Sequence, residues 1–129
     1  MLGFAEELDF IATVADDDLA RLGGRNEVVQ WMRRAAQATA DYYIESSPAD
    51  GIPYWDTGAP GLCRMGNYLD GPSDPYNDIE PIDSSAAAIA AQGLVRLGRH
   101  LCDHGHADRG QHYLGAGLTV LRHLLDEPY

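Results

Sequence analysis

One run of residues governs what this chain can fold into: Asp83-Ser84-Ser85-Ala86-Ala87-Ala88-Ile89-Ala90-Ala91-Gln92-Gly93-Leu94. Aspartate followed by two serines is a helix start, because the carboxylate can accept from the free amides of the first turn. Alanine then extends the helix at low side-chain entropy cost and lets a neighbouring helix come close. A helix with one side in water carries a polar stripe. Here alanine or glycine stands at 86, 87, 88, 90, 91 and 93, so the first half of this helix is expected to be buried on nearly every side. A helix enclosed in that way needs more than three neighbours. The run therefore predicts the inner ring of a larger helical toroid rather than a lone four-helix bundle.

The rest of the chain fits an all-α reading. Phe4, Ala5, Leu8, Ile11, Ala12 and Ala15 repeat at helical spacing, and Leu19 and Leu22 extend the stripe to Gly23-Gly24, with Asp16-Asp17-Asp18 as a candidate interruption. This predicts a first helix over 2–22. A second, over 26–45, takes Asn26 as N-cap and carries Val28, Val29, Met32, Ala36, Tyr42 and Tyr43 on its apolar side until Ser46-Ser47-Pro48 stops it. The alanine-rich helix is expected over 84–102 and becomes amphipathic around Arg96, Arg99 and His100. A fourth, over 107–125, presents a broad apolar face that includes Tyr113, Leu114, Leu118, Leu121 and Leu125. Between the second and third helices, residues 46–82 hold six of the seven prolines and have no sustained period. A loop of that length in a compact domain is usually functional or disordered, and its aromatics Tyr54, Trp55, Tyr68 and Tyr76 favour order. The 129 residues form one domain in this reading.

Charge narrows the partners. Twenty acidic residues stand against nine basic ones, a formal net charge of −11. All nine are arginine. That balance argues against nucleic acid and against an anionic membrane surface. Cys63 and Cys102 make no disulfide framework, which points to a reducing, cytoplasmic setting. No signal peptide and no membrane-spanning run is legible. The helical pattern starts almost at Met1, and the closing Asp126-Glu127-Pro128-Tyr129 follows a helix directly, so neither end reads as a natural domain boundary.

Three stretches carry a family resemblance. Asp50-Gly51-Ile52-Pro53-Tyr54-Trp55-Asp56, then Gly58-Ala59-Pro60-Gly61, then Asp83-Ser84-Ser85-Ala86-Ala87-Ala88-Ile89-Ala90 together resemble the later part of glycoside hydrolase family 88, the unsaturated glucuronyl hydrolases. Order and approximate spacing match over roughly residues 1–125. The resemblance implies an (α/α)6 barrel of six helical hairpins, of which this chain would cover about two. It implies hydration of the C4–C5 double bond of an unsaturated uronyl oligosaccharide, with an aspartate as general acid and base. The family's catalytic aspartates lie upstream of the segment matching Met1, as does its "RGQAW" stretch, of which only the following Gly3-Phe4 corresponds. No residue here takes the catalytic role, and the isolated chain is expected to be an inactive fragment needing no cofactor.

The candidate substrate-binding residues are Tyr54, Trp55, Asp56, Asp83 and Ser84. An aromatic beside a carboxylate suits a sugar, since the ring covers its apolar face and the carboxylate takes hydroxyls. Against this, Tyr54-Trp55-Asp56 also suits a loop packed by its own aromatics. Asp83 and Ser84 suit ordinary helix capping as well as a sugar hydroxyl. His100, Cys102, His104, His106 and His112 suggest a metal, but the usual ligand spacings are missing and a polar turn is the better reading. Gly58-Ala59-Pro60-Gly61 lacks the Lys-Ser/Thr of a phosphate loop. Other readings are a non-catalytic helical module that self-associates, and a different (α/α)-barrel carbohydrate enzyme. Two hairpins cut from a ring leave apolar edges, so a homo-oligomer is expected, with the first or fourth helix at its interface.

Overall fold

The structure, a computed structural model, describes residues 1–126, 128 and 129; Glu127, within the closing stretch, lies outside them. The described residues are all-α, with five helices: α1 (Leu2–Ile11), α2 (Asp16–Leu19), α3 (Arg25–Ser46), α4 (Ser84–Asp103) and α5 (Ala107–Leu124). Single 3-10 turns follow at Ala20–Leu22 and Leu62–Arg64. No helix among the described residues is long and apolar enough to cross a membrane.

Two boundaries differ from the sequence expectation. The first helix does not run through to residue 22. It ends at Ile11, and Ala15 is extended before the three aspartates open α2. Arg25 accounts for the break. Its guanidinium donates to the carbonyls of Ile11 and Val14, and its Nε reaches Asp16 Oδ1 at 2.7 Å. These are carbonyls that a continuing helix would have used itself. Asn26 does not cap α3. Gly24 does, with φ +89 directly after Gly23 at φ +91, and such a left-handed pair reverses the chain where a side chain would be strained.

Helices α1 and α3 run antiparallel, as do α4 and α5. The α4–α5 contact is the most extensive in the molecule. It is close because Gly98 faces Gly110 and Leu114, while Gly117 sits on Ala91 and Val95. Helix α1 lies along α4 in the same direction: Gly93 meets the backbone of Leu2, and Arg96 pairs with Asp9 at 3.2 Å and Glu6 at 3.9 Å. The core between them centres on Leu8, Ala36, Leu94, Leu97, Leu101 and Tyr113.

The alanine run is buried on one side only. Ala87, Ala90, Ala91 and Leu94 are inside, but Ala88, Gln92 and Ile89, the last 56% exposed, face out. The expectation of burial on nearly every side therefore fails: α1, α3 and α5 pack against α4, and no described helix covers its outward face. The apolar face of α5 is likewise split. Tyr113 and Val120 are buried, while Leu118 and Leu125 are exposed.

The loop between α3 and α4 is ordered by carboxylates rather than by a sheet. Asp50, only 2% exposed, accepts from the amides of Ile52 and Ser73, from Ser73 Oγ and from the Tyr129 hydroxyl, at 2.9–3.1 Å. Glu80, also buried, accepts from Trp55 Nε1 at 2.5 Å and from the Gly61 amide at 2.6 Å. Each gathers segments about twenty residues apart in sequence, and buried carboxylates satisfied by several donors are tolerated inside a protein.

Candidate functional site

The loop returns to the start of α4 by two backbone bonds, Trp55 N to Pro81 O at 2.9 Å and Asp83 N to Pro53 O at 2.8 Å, around an isolated bridge between Tyr54 and Ile82. That pairing lays Trp55-Asp56 beside the N-terminus of α4. The result is a cleft of about 460 Å³ between the end of α3, the loop and the first turn of α4. Tyr54, Trp55, Asp56 and Asp83 all line it. Ser84 does not; it is exposed at the first position of α4.

The four play different parts. Tyr54 is buried, stands edge-on to Tyr68 at 5.7 Å and accepts from the Asp74 amide through its hydroxyl. It serves mainly to hold the loop together. Trp55 is 53% exposed, yet its indole is fixed at the N–H by Glu80. An exposed ring locked at its polar edge presents a stationary apolar face. Asp56 Oδ1 accepts from the Gly58 amide at 2.8 Å, a local turn that leaves its other oxygen free. Asp83 Oδ1 accepts from the Ala86 amide at 2.8 Å and the Ser85 hydroxyl at 2.6 Å. These bonds, the hydroxyl first, hold its carboxyl below its ordinary range, so it is charged near neutral pH.

Other walls of the cleft were not legible as site residues. Tyr42 belongs by spacing to the apolar stripe of α3, but it is 59% exposed and hydrogen-bonded to Thr57 Oγ1 at 2.9 Å. Tyr43 is partly buried and donates to Gly51 O at 2.6 Å; burial, above all, pushes its phenol up. Ser47, part of the stop signal of α3, is 6% exposed, and its hydroxyl has no hydrogen-bond partner of normal geometry among the described residues. It lies close enough to the Tyr43 phenol to act on its acidity. A buried hydroxyl left unpaired is costly, and this one borders the cleft. Glu80, which does not line the cleft but fixes Trp55, is the least legible of all, since its two partners are nineteen and twenty-five positions away.

The histidines do not converge. His100 and His104 stack at 4.2 Å, and His106 bonds Arg33 at 2.8 Å. Among the described residues no three His, Cys, Asp or Glu side chains gather as a metal site would require. Both cysteines are free.

Fold and cleft thus define a class: an all-α chain whose aromatic-walled, carboxylate-bearing cleft opens beside a helix N-terminus. Compared with family models, curated proteins and solved structures, the chain matches none of them.

Proposed function

We propose that this cleft binds the ring of a sugar, within an (α/α) toroid of the family 88 type that acts on unsaturated uronyl oligosaccharides. The observation that carries the reading is the convergence of two fixed, exposed aromatic rings, Tyr42 and Trp55, with the carboxylates of Asp56 and Asp83. Rings of this kind cover the apolar face of a pyranose, and carboxylates accept its hydroxyls. The parallel packing of α1 on α4, with α3 and α5 antiparallel behind them, supports the toroid. So does the bare flank of the alanine run, which has the composition of a helix contact and no helix on it.

The same geometry limits how a uronide sits. None of the described side chains lining the cleft is arginine or histidine, and two aspartates would repel a sugar carboxylate. The ring therefore lies on the aromatics with its acid group turned outward, and neither Asp56 nor Asp83 acts as the catalytic acid. Titration with an unsaturated uronyl disaccharide, followed by tryptophan fluorescence, should give saturable quenching that Trp55→Ala abolishes. Absorbance of the double bond should stay constant. No quenching up to about 10 mM, which covers contacts worth only ~3 kcal/mol, would refute sugar binding. Turnover lost in Asp56→Asn or Asp83→Asn would refute the non-catalytic role.

A further inference from the structure

The side-chain donors along the cleft are nearly all spent within the protein. Thr39 donates to the carbonyls of Ala35 and Ala36, Ser46 to that of Tyr42, Tyr43 to that of Gly51, and the Trp55 indole to Glu80. Tyr42 and Thr57 bond each other, which leaves one hydroxyl proton between the two. Ser47 keeps its proton, but its oxygen is buried out of contact with solvent.

The charged acceptors are not spent. Asp56 commits only Oδ1, to the Gly58 amide, and Asp83 only Oδ1, to the Ala86 amide and the Ser85 hydroxyl. Neither Oδ2 is hydrogen-bonded to a described residue. Neither carboxylate is in an ion pair with one either, the amino group of Met1 at the border of the cleft included.

A pocket short of donors and supplied with free carboxylate oxygens selects a ligand that brings both protons and positive charge. A sugar hydroxyl brings one proton, and its oxygen asks for a donor in return. A primary ammonium brings three N–H groups and asks for none. The exposed faces of Tyr42 and Trp55 match it again, because the face of an aromatic ring attracts a cation. A metal ion fits less well, since among the described residues no three His, Cys, Asp or Glu side chains gather to hold one.

We propose that the cleft takes a sugar whose ring carries a free amino group, its ammonium donating to the uncommitted oxygens of Asp56 and Asp83. The proposal rests on the reading of the cleft as a sugar site and adds the charge of the sugar that it selects. Where the amino sugar is joined to a uronyl residue, the same two aspartates turn the acid group outward and draw the amine in.

Two forms of one unsaturated uronyl disaccharide test it, one with the nitrogen of its amino sugar free and one with that nitrogen acetylated. Each is titrated against the whole chain by calorimetry. The free amine should bind roughly tenfold tighter, the worth of one charge-assisted hydrogen bond. Asp56→Asn and Asp83→Asn retain an oxygen for the Gly58 and Ala86 amides, and asparagine caps a helix about as well as aspartate. Each should reduce the preference for the amine and leave the affinity for the acetylated form unchanged. Equal affinity for the two forms would overturn the ammonium assignment and leave the sugar site standing. Binding of neither form would overturn both. A preference for the amine that survives both substitutions would place the ammonium elsewhere on the chain and overturn the assignment to this cleft.

Discussion

Asp83 caps α4 through the Ala86 amide, as the residues around it predict, and the same carboxylate borders the cleft. Asp83→Ala should lower stability by about 1 kcal/mol and Asp83→Asn by much less, measured by urea unfolding. The pH dependence has a definite sign. A carboxyl held below its ordinary 3.8 in the folded state stabilises the fold fully above that value. The contribution fades as pH falls through the lowered value, so acid should erase the difference between wild type and Asp83→Ala. This residue was legible because its partners lie two and three positions away. Glu80 was not, because nothing near it in sequence announces that Trp55 and Gly61 will need an acceptor. Tyr42 misled for the opposite reason. Its spacing fits the apolar stripe of α3, but its hydroxyl bonds Thr57 outside that stripe.

At the scale of elements, periodicity found the existence of the helices, and Asp16-Asp17-Asp18 marked the neighbourhood of the one break that the 2–22 span ran across. Hydrophobic spacing continues across Ile11, Ala15, Leu19 and Leu22, while Arg25 reaches back to two carbonyls and the Thr13 hydroxyl takes a third, that of Phe10, where α1 ends. The glycines of α4 and α5 divide into those that pack against the other helix and those that do not. At Gly98 a Cβ would strike Leu114 and the Gly110 carbonyl, whereas at Gly115 nothing lies within 4 Å. The same substitution should therefore act in opposite directions. Gly98→Ala should destabilise by about 1–3 kcal/mol through overpacking. Gly115→Ala should stabilise by up to ~1 kcal/mol through helix propensity alone. Thermal unfolding of the pair would show it, and a loss at both positions would contradict the described approach of α4 and α5.

For the molecule as a whole, the sequence reading found the all-α character, ran one helix across the break between α1 and α2, and expected a packed loop. It could not say how, because the ties are carboxylate bonds between distant positions. The tie at Asp50 has a consequence for the order in which the chain assembles. Tyr129 meets Asp50 across 79 positions, and Ser73 joins the same pair. Closing so large a span costs entropy that only an already docked α4–α5 pair can offset. The knot should form after the rate-limiting step. Tyr129→Phe removes a bond to a carboxylate worth about 1.5 kcal/mol. It should then speed unfolding about tenfold and leave the refolding rate unchanged. This knot, which ties the chain's end to the middle of its long loop, would be the last part of the protein to assemble and the first to come apart.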